Sequence, residues 1–189
     1  MSTIENPFAA PQANLQTASD GRTTFYVVSI PKFLTLFFLT SGFYFTYWFY
    51  KNWRCYRAAT GIKVLALLRT IFSIFFVYSL FMKIRQRLLF SDRPYSWFPR
   101  LLALLFIVSA CAANALIWVF DPITSLKASC GILILQAVLL TRVQKAVNYL
   151  ESDPQGQTNA RFTGLNGFWV VLGLCWWALA ITGVVVLVQ

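Results

Sequence analysis

The chain contains no histidine, and only six acidic residues stand against 16 Lys and Arg. The missing imidazole removes the commonest zinc ligand, the usual catalytic base and any His-based proton relay. Cys55, Cys111, Cys130 and Cys175 form no C-x-x-C pair, and three of them lie inside apolar runs. They read as small buried hydrophobes rather than a disulfide framework or a metal site. Charge itself is scarce, at 12% of residues, about half of what a soluble domain carries. No H-E-x-x-H, G-x-S-x-G or G-x-x-x-x-G-K motif occurs, and every Asp and Glu lies outside the uncharged runs. A serine or cysteine nucleophile would need a lysine base on an adjacent face, and none is visible. We therefore expect no enzyme and no cofactor.

What is abundant is apolar surface. Of 189 residues, 58% are hydrophobic and 17% aromatic, more than a soluble core of this length can hide. Several long uncharged runs make the expected fold class all-α, an integral membrane helical bundle with four or five transmembrane helices. The net charge of +10 would suggest nucleic acid in a soluble protein. Here the bases flank apolar runs, where cytoplasmic loops and anionic headgroups account for them, so membrane lipids are the expected partner and nucleic acid is not. Residues 1–24 are polar, contain two prolines and lack a signal peptide's apolar core. They read as a disordered tail before a single transmembrane domain, residues 25–189.

The most informative stretch is residues 31–61. Residues 33–50 carry no charge, about 27 Å as a helix at ~1.5 Å per residue. Tyr44, Tyr47, Trp48, Tyr50, Trp53 and Tyr56 then crowd its end, an expected interfacial belt, with Lys51, Arg54 and Arg57 snorkelling beyond it. Ser41-Gly42 marks a bend or a close approach by a neighbour. The run TSGFYFTYWFYK resembles a Thr-x-Gly-x-Tyr-x-x-Tyr-Trp-x-Tyr-Lys signature of small multi-pass bacterial membrane proteins of unknown function. That resemblance implies an integral membrane protein and supplies no catalytic residue.

The second apolar segment, residues 64–82, is interrupted by Arg69 and flanked by bases. Arg69, Ser73, Lys83 and Arg87 fall near one face of a continuous helix, which favours an interfacial or re-entrant segment over a crossing one. Residues 101–120 and 165–189 carry no charge and read as spans. A fourth segment begins near Ala128 and continues through Arg142 to Asn148, with Gln144 and Asn148 one turn apart on a shared face. Arg69, Asn114 and Gln136 are the candidate intramembrane polar contacts, Asn114 being expected to bond a neighbouring helix.

Two topologies satisfy this pattern, five crossings or four with the second segment on the surface. Both place residues 83–100 on the cytoplasmic side of a bacterial inner membrane and the C-terminus outside. The expected function is non-catalytic, acting through a protein partner or lipid. Its candidate surface is Lys83, Arg85, Arg87, Arg93 and Arg100 with the amides Gln144, Asn148, Asn159 and Asn166. A small oligomeric channel or transporter lined by Asn114, Gln136 and Arg69 is the alternative. An immunity protein against a membrane-targeting toxin is a further one. Either a membrane-protein partner or a homo-oligomer fits this class.

Overall fold

The computed structural model describes residues 23–91 and 95–188, which form no strand and seven α-helices: α1 (Ile30–Leu39), α2 (Tyr44–Thr60), α3 (Ala66–Ile71), α4 (Ser73–Phe90), α5 (Pro99–Val119), α6 (Pro122–Leu150) and α7 (Gly164–Val188). Residues 1–22 of the expected tail, and Arg93, lie outside the described residues. Three of the helices, α5, α6 and α7, are long and apolar enough to cross a membrane.

The two remaining apolar segments, each expected from the sequence to form one helix, are broken. Residues 33–50 divide at Ser41-Gly42, where both residues take left-handed backbone angles, φ 51° and 86°. Two successive left-handed residues reverse the chain, and glycine occupies one of them without a Cβ penalty. Thr40 fixes the turn from its side chain. Its Oγ1 donates to the Leu36 carbonyl (2.7 Å) and accepts the Tyr44 N–H (2.9 Å), so it closes α1 and opens α2. The two helices then run antiparallel, with Phe33 against Tyr44 and Trp48, and Phe25 stacked on Tyr56.

That reversal changes what the aromatic patch does. Tyr44, Trp48, Phe49, Trp53 and Tyr56 are buried in the core between α1, α2 and α6. The expected belt at the headgroup level is therefore largely an internal aromatic cluster, because folding α2 back on α1 turns this face inward.

The second segment breaks at Phe72. Arg69 and the Ser73, Lys83, Arg87 set consequently sit on different helices, and the shared face expected for them does not form. α3 climbs back along α2, with the Arg69 guanidinium 4.1 Å from the Trp53 ring centroid and 5.2 Å from that of Phe76, a cation–π site for an otherwise awkward charge. Beyond the break, Ser73 and Ile74 share a small cavity with Ser41, Gly42, Phe43 and Thr46. α4 then runs beside α5, with Phe81 in its middle against Trp97, just before α5 begins.

α5 and α6 form a tight antiparallel pair. Asp121 accepts the Ile123 and Thr124 N–H groups with Pro122 in the first turn, so α6 begins at residue 122, six residues earlier than expected. Gly173 lets α1 lie against α7, since a Cβ there would fall 2.1 Å from the Leu39 carbonyl oxygen. The Trp177 Nε1–H donates to the Phe38 carbonyl at the same contact.

The result is one-sided. Residues 23–29, the α2–α3 connection, residues 95–98 and the α6–α7 loop all lie at one end, while the other end holds the α5–α6 turn and the end of α7. Both helix breaks meet near the middle. Gly42 packs on Leu133, nine residues before Arg142, or about 13 Å of helix. Apart from Lys127, every described Lys and Arg belongs to the loop-bearing half. The cysteines are unpaired, and Cys111 and Cys175 are exposed on the outer faces of α5 and α7 rather than buried as expected.

Candidate functional site

At the loop-bearing end, residues 25–29 pass through the protein as an extended strap with no strand beside it. Phe25, Val27, Val28 and Ser29 are all buried, so the strap's backbone polar groups need partners other than water. Side chains supply them. The Glu151 carboxylate accepts the Phe25 N–H (2.9 Å), and Asn52 Oδ1 accepts the Tyr26 N–H (3.2 Å). Gln144 Nε2 donates to the Tyr26 carbonyl (3.1 Å), Asn159 Nδ2 to Val27 (2.9 Å) and Asn148 Nδ2 to Val28 (3.0 Å).

Gln144 is the hub. Its Nε2 also donates to Asn148 Oδ1 (2.7 Å), and its Oε1 accepts the Trp48 indole N–H (2.5 Å). The i, i+4 spacing of Gln144 and Asn148 aims both at the strap. Lys32, only 2% exposed, closes the clamp by donating to Asn159 Oδ1 (2.7 Å) and the Arg161 carbonyl (2.6 Å). Gly156, at φ 67°, lies so close to the strap that a Cβ would fall 2.5 Å from backbone atoms of Val28 and Ser29. Asp153 holds the same loop by accepting the Gln157 and Thr158 N–H groups, which keep its carboxyl below the usual range. Burial pushes Glu151 the other way, above the ordinary carboxylate range, against the lowering effect of the Phe25 N–H and of Arg87.

These contacts correct four of the nine residues of the expected surface. Gln144 and Asn148 are fully buried and bonded internally, Asn159 is half-buried within the clamp, and Asn166 is buried and caps α7 by accepting the Thr163 N–H (2.9 Å). None of the four is free to dock a partner. The bases remain outside: Arg100 is exposed, and Lys83, Arg85 and Arg87 are half-exposed along α4. Arg54, Arg57, Arg142 and Lys145 extend the same cationic end. Sequence reasoning missed Asn52, Lys32 and Glu151 as clamp members. Only the position of Asn52 within the aromatic run signalled burial.

The three intramembrane polar candidates separate. Asn114 and Gln136 line one groove of about 690 Å³ between α5, α6 and α7, with Ser41, Phe43, Trp176 and Trp177. Asn114 donates to the Ala110 carbonyl of its own helix (2.8 Å) rather than to a neighbour, while Gln136 makes a long contact with Ser109 of α5 (3.4 Å). Arg69 is not in the groove. The lining ends at Ser41 and Phe43, where the aromatic hairpin begins, so the groove does not continue to the basic end. Comparison with protein-family models, curated proteins and solved structures returned no match to this chain.

Proposed function

We propose that this chain is a non-catalytic, multi-pass protein of a bacterial cytoplasmic membrane that acts by engaging anionic lipid at its basic end. The observation that carries this reading is the segregation of charge: of the described Lys and Arg residues, only Lys127 belongs to the opposite half. Such a distribution matches a cytoplasmic face held against anionic headgroups, each base contributing roughly 1 kcal/mol near the surface. The nearby carboxylates offset only a small part of it: Glu151 and Asp153 are the two described acids of that half, against thirteen described Lys and Arg.

In this reading α5, α6 and α7 cross, and the α1–α2 hairpin and the α3–α4 pair enter and return, replacing the four or five crossings expected. Leu133, against which the hairpin turn packs, is about 13 Å from Arg142, near the middle of a ~30 Å hydrocarbon core. Irregular backbone at that depth is tolerable where it packs on protein, as Thr40, which is buried, and Gly42, half-buried against Leu133 and Phe37, do here. Residues 83–100 stay cytoplasmic and the C-terminus outside. Kinship with the bacterial proteins that carry the Thr-x-Gly-x-Tyr signature belongs to the same proposal, the Thr and Gly having a physical role in the turn.

The test is labelling of single cysteines in a cysteine-free chain in intact cells, with lipid analysis of the purified protein. Lys63→Cys and Ser96→Cys should resist a membrane-impermeant maleimide until the cells are opened, and Thr124→Cys should react from outside. Anionic phospholipid should be enriched over zwitterionic lipid in the purified sample. Outside labelling of Lys63→Cys would mean that the first segment crosses, and would defeat the re-entrant arrangement.

A further inference from the structure

Between the descending α2 and the ascending α3 lies a second concavity, of about 350 Å³, whose two ends differ in chemistry. Tyr50, Arg54 and Arg57 lie at i, i+4 and i+7 of α2, one stripe facing the groove. Both guanidinium side chains are exposed. The other wall is Leu65 and the α3 that follows it, where Leu65, Leu67, Leu68 and Ile71 are 49–68% exposed. That is a continuous apolar face too extensive for a segment bordered by water. It continues past the break into Phe72 and Phe75, which are also exposed.

We propose that this groove is a specific site for one anionic phospholipid, an inference that rests on the lipid-engaging reading above and gives it an address. The phosphate would sit between Arg54 and Arg57, whose forked donors suit phosphate oxygens better than an ammonium would. An acyl chain would lie along Leu67, Leu68 and Ile71 towards the middle of the bilayer. Charge and apolarity succeed each other along the groove in the order they do along a phospholipid, cationic where α3 starts and apolar where it ends. That order selects a lipid over an acidic peptide, which would leave the leucine wall uncovered. Arg69 does not compete for the phosphate, since its guanidinium is stacked on Trp53.

The experiment is native mass spectrometry of the full chain in mild detergent, titrated with phosphatidylglycerol or with phosphatidylcholine of equal chain length. Wild-type protein should retain one phosphatidylglycerol in preference to phosphatidylcholine. Arg54→Gln with Arg57→Gln should weaken that retention about thirtyfold. Arg85→Gln with Arg87→Gln, which removes the same charge elsewhere at the basic end, should weaken it no more than about threefold. Leu67→Ser with Ile71→Ser should weaken retention of long-chain lipid while leaving dihexanoyl phosphatidylglycerol unchanged, a contrast that misfolding would not give.

Equal losses from the two arginine pairs would overturn the site and leave the general lipid reading standing. No preference for phosphatidylglycerol in wild type would remove both. A lipid-free dimer that Arg54→Gln with Arg57→Gln converts to monomer would assign the groove to a second copy and refute the lipid.

Discussion

Gln144→Leu is the most informative single change, because one amide serves three partners at the point where strap, α2 and α6 meet. The substitution nearly preserves volume, so its effect is that of removing hydrogen bonds rather than opening a cavity. It leaves the Trp48 indole N–H, the Tyr26 carbonyl and Asn148 Oδ1 without the partner they have now. Trp48 is fully buried, so its N–H has no access to water unless the hairpin shifts. An orphaned buried polar group costs about 1–3 kcal/mol. Two effective orphans, with Asn148 free to relax, give a loss of about 2–6 kcal/mol against a typical total of 5–15 kcal/mol.

The loss should have a local signature as well. Residues 25–28 are held by side chains from α2, α6 and the α6–α7 loop, so the strap should open before the bundle does. Unfolding of the purified protein in mild detergent measures the first quantity, and hydrogen–deuterium exchange of residues 25–29 the second. Lys145→Gln, on the exposed side of the same helix turn, is the control and should stay within about 0.5 kcal/mol of wild type. A Gln144→Leu protein within that margin, with strap exchange unchanged, would refute the clamp. If each bond were worth only the ~0.6 kcal/mol average of polar contacts between transmembrane helices, the loss would stay below about 2 kcal/mol.

Two further predictions concern packing and charge. Gly173→Ala should destabilise the protein by about 1–3 kcal/mol by overpacking the α1–α7 contact, whereas Gly183→Ala, which meets nothing within 4 Å, should be neutral or slightly stabilising through helix propensity; unfolding in detergent distinguishes them. Glu151→Gln should raise thermal stability at pH 7 while keeping the bond from the Phe25 N–H. The Glu151 pKa is raised by burial, so its contribution to stability is full below the ordinary carboxylate value and is lost as pH rises through the raised one. The advantage of the variant should therefore shrink to nothing near pH 4 and grow towards neutrality, and an advantage independent of pH would count against the assignment.

Much of the fold is legible in composition because long apolar runs leave few alternatives to helix. Three of the four long uncharged runs, residues 101–120, 128–141 and 165–189, fall almost entirely within the three long apolar helices. The positive charge beside apolar runs ends up on one half of the molecule. The two breaks are less legible. Residues 33–50 are as apolar and uncharged as a span, and hydropathy reports how wet a residue can be, not which way the chain turns. The deciding facts are the Thr40 hydroxyl bridging two helices and left-handed angles at Ser41 and Gly42. Ser-Gly announces that such a turn is cheap, not that it is made.

The amides were misassigned for a related reason. Gln144 and Asn148 stand near Arg142 and Lys145, and proximity in sequence to bases made them look like surface. On a helix, residues 142 and 145 face outward while 143, 144, 147 and 148 face in, as the burial pattern bears out. What the inward face needed could not be read locally, because the groups it satisfies belong to a strap more than a hundred residues earlier. An extended segment with no sheet partner must find donors and acceptors somewhere, and in this chain they are five side chains drawn from three places. The strap thus ties the start of the α1–α2 hairpin to the loop-bearing end of α6. It fixes the height of α2, and with it the position of Arg54 and Arg57 relative to the apolar face of α3. Loosening the clamp should therefore weaken phosphatidylglycerol retention without touching either arginine, so Gln144→Leu links the stability of the strap to the proposed lipid site.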